Sequence, residues 1–133
     1  MRYLGIDYGS RRVGLALSDD EGRMAFPHSV VPNTPHLVAD VQAVVEREQV
    51  ERIVMGKSLD TEGNPNPIME EITPFGAALE RHLGRSVIYE PEFYTSVQAM
   101  KLQGRNDMID ASAASIILQS YLDRQRERPR DDT

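Results

Sequence analysis

Short apolar runs separated by turn residues dominate the first third of the chain. The pattern predicts strands over residues 3–6, 12–18 and 23–31, with Pro27 interrupting the third. The segments between them, Asp7–Ser10 and Asp19–Gly22, carry the aspartate and glycine that tight turns favour. Links this short cannot cross over a sheet, so the three strands are expected to form an antiparallel meander.

Helical and strand patterns alternate over the rest of the chain. Thr34 is predicted to cap a helix that has Pro35 at its first position, and leucine and valine then recur at helical spacing. The elements predicted further on are a strand over 52–56, a helix over most of 68–83, a strand over 87–89, a short helix from Thr95 to Leu102, and a long helix from about 107 to 126. This order predicts an α/β domain with a five-stranded mixed sheet, three strands antiparallel and two parallel, flanked by helices.

Length and composition limit the class of protein. The 133 residues predict a single domain over 1–133, with a charged tail at 128–133. The lack of cysteine excludes disulfide frameworks, cysteine-ligated zinc and thiol nucleophiles. No apolar run approaches the roughly 18 residues of a membrane span, and the first residues lack the zones of a signal peptide. We therefore expect a cytoplasmic protein that does not associate with membranes.

The charge balance argues against a passive nucleic-acid binder. The chain carries 21 acidic and 15 basic residues, for a formal net charge of −6. Binders of nucleic acid usually present a basic surface. An enzyme that holds metal ions among carboxylates escapes this argument, because the bound cations reverse the local charge. The carboxylates themselves are therefore the first place to look for chemistry.

Three carboxylates stand where ligands collect in α/β domains. Asp7 ends the first strand, and Glu90 and Glu92 end the fifth. Asp110 lies on the stripe of the last helix that should face the sheet. Each has an ordinary structural explanation as well, as a turn residue, a solvated strand end and a first-turn acid favoured by the helix dipole. An inward-facing Asp110 nevertheless requires a metal ion or a basic partner, because burying an unpaired carboxylate is costly.

Together these carboxylates fit one kind of chemistry. Oxygen ligands without histidine or cysteine favour Mg²⁺ or Mn²⁺ over zinc. Ends of neighbouring parallel strands lie about 5 Å apart, so Asp7 and Glu92 could meet if the first and fifth strands lie near one another. Two such ions about 4 Å apart activate a water molecule and stabilise a leaving oxygen in phosphodiester cleavage. The sequence therefore predicts a metal-dependent site for that reaction.

Four segments resemble the RuvX/YqgF family, in the right order and over essentially the whole chain. Residues 4–16, LGIDYGSRRVGLA, resemble its opening motif, and GKSLD at 56–60 with Gly63 resembles its central loop. Glu92–Ser96 with Ala99 resembles its acidic motif, and residues 110–122 resemble its final helix. The resemblance implies a ribonuclease H-like fold. The family is described both as Holliday junction resolvases and as nucleases of precursor ribosomal RNA.

The resemblance also implies roles for individual residues. The metal-binding carboxylates of the family fall on Asp7, Glu92 and Asp110, which implies Mg²⁺ or Mn²⁺ in a two-ion site. Arg12 matches the basic position of the opening motif, which implies contact with phosphate or support of the metal-binding loop. The implied substrate is precursor 16S ribosomal RNA or a branched DNA junction, bound by a monomer or a homodimer. The basic residues expected to contact it are Arg11, Arg12, Lys57, Lys101 and Arg105.

One segment departs from the family pattern. The family usually reads Asp-Glu-Arg at the second acidic motif, whereas this chain reads Pro91-Glu92-Phe93. The central acid is kept, and Glu90 could replace the missing one. The lost arginine removes a positive group near the substrate.

Two other functions remain open at this point. The altered acidic motif favours a non-catalytic RNA-binding or ribosome-assembly factor whose carboxylate cluster is a structural metal site. Residues Gly5–Gly9 also resemble the first phosphate loop of actin-like sugar kinases. Those enzymes need two lobes, and this chain supplies one.

Overall fold

Five strands and three helices make up the part of the chain that the structure, a computed structural model, describes: residues 1–92 and 107–127. The strands are β1 (Tyr3–Tyr8), β2 (Arg12–Ser18), β3 (Ala25–Pro32), β4 (Arg52–Ser58) and β5 (Val87–Glu92). The helices are α1 (Leu37–Arg47), α2 (Met69–Leu83) and α3 (Asp107–Glu127). The predicted order of these elements is confirmed. The short helix predicted from Thr95 to Leu102 and the predicted tail at 128–133 lie outside the described residues.

The strands are longer at the functional end than the apolar pattern indicates. Asp7 lies inside β1, paired with Gly14 of β2, and is not the first residue of a turn. Glu90 and Glu92 likewise lie inside β5, which continues to pair with β4 through Pro91. Proline is tolerated there because an edge strand needs no donor on its outer side. The first strand, predicted to end at Asp7, continues to Tyr8, whereas the predicted placement of Glu90 and Glu92 at the end of the fifth strand is confirmed. The carboxylates are therefore held by the sheet itself.

Two other predicted boundaries were also wrong, and local hydrogen bonds explain both. The third strand begins at Ala25 because the Asp19 carboxylate accepts hydrogen bonds from the backbone N–H groups of Arg23 and Met24, which keeps both residues in the turn. The first helix begins at Leu37, with His36 at its N-cap position. Thr34 instead accepts a hydrogen bond from the N–H of His36 in a turn that precedes the helix.

The sheet has the strand order β3-β2-β1-β4-β5. The first three strands form the predicted antiparallel meander, and β4 and β5 are added in parallel to β1. The carboxyl ends of β1, β4 and β5 therefore lie at the same edge of the sheet. In such a sheet, that edge is where functional groups collect.

Helices cover both faces of the sheet. On one face, α1 and α2 pack on a core of large aliphatic side chains that includes Leu4, Ile6 and Met55. On the other face lies α3, whose stripe of Ala114, Ile117, Leu118, Tyr121 and Leu122 packs against Ala16 and Val54. The inward-facing stripe predicted for the last helix is confirmed. None of the helices in the described part of the chain combines the length and hydropathy needed to cross a bilayer.

Candidate active site

Asp7 lies on the α3 face of β1, in the last part of the strand. Alternation along β1 places Gly5 and Asp7 on one face, and a Cβ atom at Gly5 would lie 2.7 Å from Cβ of Leu118 in α3. The Asp7 side chain is buried. Asp7 is therefore a carboxylate enclosed between the sheet and the last helix.

The start of α3 lies directly over the strand pair that contains Asp7. A Cβ atom at Gly14, the register partner of Asp7, would lie only 2.1 Å from the backbone oxygen of Asp110. Glycine is required there because any side chain would collide with helix backbone. The absence of this side chain brings Asp110 down onto the sheet beside Asp7.

Arg12 supplies the basic partner that an inward-facing Asp110 requires. The Nε–H group of Arg12 donates a hydrogen bond of 3.0 Å to Oδ2 of Asp110. The Asp110 side chain is 5% exposed and the Arg12 side chain 33% exposed, so the ion pair runs from the interior to the surface. Charge-assisted bonds of this kind are among the stronger polar contacts in proteins.

Glu92 approaches the same region across β4. The strand order places β4 between β1 and β5, so the backbones of Asp7 and Glu92 are separated by two strand spacings, about 10 Å. The strands are therefore not neighbours, and the side chain must span the gap. Gly56 of β4 makes this possible, because its missing Cβ atom would lie 3.0 Å from Oε2 of Glu92 and 2.9 Å from Cδ1 of Ile117.

Glu90 is held by α3. Its buried carboxylate accepts a hydrogen bond of 2.9 Å from the Ser120 hydroxyl and forms an ion pair with Arg124. Glu90 shares the α3 face with Glu92, as strand alternation predicted, but its oxygens are directed to the middle of the helix. These contacts link β5 to α3, a role that the sequence pattern did not indicate.

The β1–β2 turn, which carries Arg11 and leads into Arg12, is fixed by Asn33, a residue that the sequence pattern did not single out. Its side-chain amide donates a hydrogen bond of 2.8 Å to the carbonyl of Gly9, and its backbone N–H donates one of 2.9 Å to the carbonyl of Arg11. An Asn directly after a strand is a recognisable turn signal, but the sequence does not indicate which backbone groups its side chain bonds.

Tyr8 lies on the other face of β1. Burial raises the pKa of its hydroxyl group, which donates a hydrogen bond of 3.2 Å to the Glu71 carboxylate.

The predicted basic contacts are distributed unevenly. Arg11 is exposed in the β1–β2 turn, next to Arg12. Lys57 is exposed on β4, but strand alternation places it on the face opposite Gly56 and the carboxylates. Lys101 and Arg105 lie outside the described residues. Of the predicted basic contacts within the described ranges, only Arg11 and Arg12, at the start of β2, thus lie beside the acidic site.

The donor set fits a hard divalent cation. Asp7, Glu92 and Asp110 all offer carboxylate oxygens, on one face and at one edge of the sheet, and such oxygens are the ligands of Mg²⁺ and Mn²⁺. Among residues 1–92 and 107–127, no three acidic or histidine side chains are already gathered closely enough to hold a metal ion. Asp110 is turned to Arg12 instead.

Comparison with solved structures defines the class to which this fold belongs. Thermus thermophilus RuvC aligns with a TM-score of 0.63 and 17% identity, covering 95% of this chain and 96% of that one. The fowlpox virus Holliday junction resolvase aligns with a TM-score of 0.53 and 15% identity, covering 94% of this chain and 99% of that one. The molecule therefore has the ribonuclease H-like fold of RuvC-type resolvases, as predicted.

Sequence comparison then gives the particular family. The model of the RuvX family, described as Holliday junction resolvase, matches residues 1–124, and the chain belongs to that family. A relative from Chloroflexus aggregans is 38% identical over 134 residues, covering 92% of this chain and 94% of its own length. One from Nitratidesulfovibrio vulgaris is 36% identical over 138 residues, covering 96% and 97%. Both bear the name "Putative pre-16S rRNA nuclease".

Proposed function

We propose that this protein is a divalent-metal-dependent nuclease that cleaves phosphodiester bonds in structured nucleic acid. The observation that carries the proposal is the placement of Asp7, Glu92 and Asp110 on one face of the sheet, at the edge where β1, β4 and β5 end. Membership of the RuvX family supports the same conclusion. It also favours a nuclease over the phosphate-binding lobe of a kinase.

The three carboxylates would hold Mg²⁺ or Mn²⁺, in a site for two ions. When bound, such ions supply the positive charge that makes water a nucleophile at neutral pH and stabilises a leaving oxygen. The chain itself supplies the positions of its ligands, because Gly14 and Gly56 admit Asp110 and Glu92 to the surface of the sheet. Arg12 pairs with Asp110 and Arg11 is exposed next to it, and both would contact a phosphate group of the substrate.

The substrate we propose is the precursor of 16S ribosomal RNA, in the processing of its 5′ end, with a branched DNA junction as the second candidate. The RNA comes first because relatives more than 35% identical carry that name. The junction follows from the family description and from resolvases that share the fold at 17% identity or less.

A non-catalytic RNA-binding or assembly factor is the alternative function. The observation that favours it is the ion pair between Arg12 and Asp110, which already neutralises one of the three carboxylates. The replacement of the usual acidic motif by Pro91-Glu92-Phe93 points the same way.

A cleavage assay tests the proposal. Labelled leader-containing 16S precursor RNA and a labelled four-way DNA junction are each incubated with Mg²⁺, Mn²⁺ or EDTA. We expect metal-dependent cleavage by the wild type and a loss of at least about 100-fold in Asp7→Asn. Asp40→Asn, on α1 at the opposite face of the sheet, is the charge-matched control and should retain activity. Cleavage that survives in Asp7→Asn would contradict the mechanism, and binding without cleavage under every metal would favour the alternative.

A further inference from the structure

Arg12 and Asp110 form an ion pair with each other. The proposed function assigns each of them a different partner, a phosphate group for Arg12 and a divalent cation for Asp110. We propose that Arg12 holds Asp110 while the protein is free of divalent cation, and leaves it for a phosphate group of the nucleic acid once a cation is bound there. This inference rests on the proposed function, since it takes Asp110 to be a ligand of the cation.

The structure indicates which partner moves. Asp110 has a short side chain, is 5% exposed, and belongs to a helix whose backbone rests on Gly14. Arg12 has a long side chain, is 33% exposed, and stands at the first position of β2. Moving the guanidinium outward disturbs no packed backbone, whereas moving Asp110 would require displacement of α3. Arg12 is therefore the partner that leaves.

The electrostatics favour the exchange. A carboxylate as buried as that of Asp110 needs a counter-charge at all times, and Arg12 supplies it in the protein as it stands. A dication supplies more positive charge at the same carboxylate, so the guanidinium becomes dispensable there. Of the five N–H donors of a guanidinium, the contact through Nε uses one. Once released, the group can bind a phosphate through two parallel hydrogen bonds.

The exchange couples two binding events. The cation must displace Arg12, so Arg12 lowers the affinity of the free protein for the cation. Nucleic acid that engages Arg12 removes this competition, so the two ligands strengthen each other's binding by the same factor. If Arg12 only positioned Asp110 as a ligand, Arg12 would raise the cation affinity of the free protein, and its removal would weaken cation binding.

The first test measures binding of Mn²⁺ alone by calorimetry, without nucleic acid. Arg12→Gln is expected to bind Mn²⁺ roughly fivefold more tightly than the wild type, and Arg12→Lys to stay near the wild type. Arg11→Gln controls for local charge and Arg23→Gln, in the distant β2–β3 turn, for net charge; both should shift the affinity less than Arg12→Gln. Unchanged or weaker Mn²⁺ binding by a folded Arg12→Gln would overturn the proposal.

The second test measures nucleic-acid binding in EDTA, with the labelled precursor RNA and the four-way junction as probes. Asp110→Asn should release Arg12 without any cation and bind either probe several-fold more tightly than the wild type. The gain should vanish in Asp110→Asn/Arg12→Gln, as a double-mutant cycle would measure. A gain that persists without Arg12 would be a general charge effect and would overturn the exchange.

These outcomes separate the two proposals. If the wild type binds Mn²⁺ and cleaves, but Arg12→Gln binds Mn²⁺ more weakly, the exchange is overturned and the nuclease proposal stands. Wild type that binds no Mn²⁺, with equal probe binding by wild type and Asp110→Asn in EDTA, would overturn both. Thermal melting of each variant, followed by circular dichroism, establishes that the compared proteins are folded.

Discussion

The two faces of the sheet are built on different principles. The face beneath α1 and α2 is filled by large apolar side chains, such as Ile53 and Leu79, and none of the buried charged groups among residues 1–92 and 107–127 lies there. The face beneath α3 carries glycines at the points of closest approach and encloses the carboxylates of Asp7, Glu90 and Asp110. The α1–α2 face gains its stability from buried apolar area, whereas the α3 face uses part of its area to position charged groups.

This difference indicates which face of the sheet depends on the exact position of the backbone. Aliphatic side chains can repack around a small change, so the α1–α2 face should tolerate substitutions with a loss of stability only. On the α3 face, backbone meets backbone, and polar contacts at Glu90 and Gln119 fix the helix to β5 and to the start of β3. Displacement of α3 would move Asp110 away from Asp7. Changes on this face should therefore affect function before they unfold the protein.

The largest effect is expected from Gly14→Ala. The new Cβ atom would lie 2.1 Å from the backbone oxygen of Asp110, so the start of α3 must lift from the sheet. We expect a stability loss of about 3 kcal/mol, at the upper end for overpacking, and loss of nuclease activity even in the folded fraction. Urea unfolding and the cleavage assay measure the two effects. Full activity in this variant would show that α3 need not rest on β2.

Leu79→Ala is the matching change on the opposite face. Leu79 of α2 is fully buried, and its truncation should cost about 3 kcal/mol by leaving a cavity. The same urea and cleavage measurements should show activity per folded molecule close to that of the wild type. If activity falls as far as it does in Gly14→Ala, the two faces do not divide stability and function between them.

Glu90→Gln sharpens the comparison within the α3 face. The amide keeps an acceptor for Ser120 but loses the ion pair with Arg124. Because Arg124 is about half exposed, we expect a stability loss of about 1 kcal/mol, with activity reduced a few-fold as α3 loosens. Asp123→Asn breaks an exposed pair on the same helix and is the matched control. Metal affinity that fell as steeply as in Asp7→Asn would show instead that Glu90 is itself a ligand.

The smallest effect belongs to a contact that lies on neither face. Hydrogen bonds from the N–H groups of Arg23 and Met24 lower the pKa of Asp19. A lowered pKa in the folded state means that ionised Asp19 stabilises the fold above its ordinary pKa, and that this contribution is lost as the pH falls through the folded value. Asp19→Ala should therefore lower the melting temperature slightly at pH 7, with the difference narrowing below about pH 4.

Periodicity predicted which way single residues face. Helical spacing placed Asp110 with Ala114 and Ile117, and strand alternation put Glu90 and Glu92 together, because both follow from the geometry of one element. What periodicity could not give is the relation between elements. The contact of Arg12 with Asp110 spans 98 residues, and the passage of Glu92 over Gly56 depends on β4 lying between β1 and β5. Asn33 was missed for the same reason, since its partners belong to another turn.

The position of α3 over β1 and β2 has a consequence for how the protein folds. The meander of β1, β2 and β3 is local in sequence and can form early, whereas α3 closes a loop of nearly the whole chain, and loop closure over such distances is slow. Asp110 reaches Asp7 only when that closure is complete. A chain still being synthesised, or one caught partly folded, would thus have most of its sheet but an incomplete set of carboxylates.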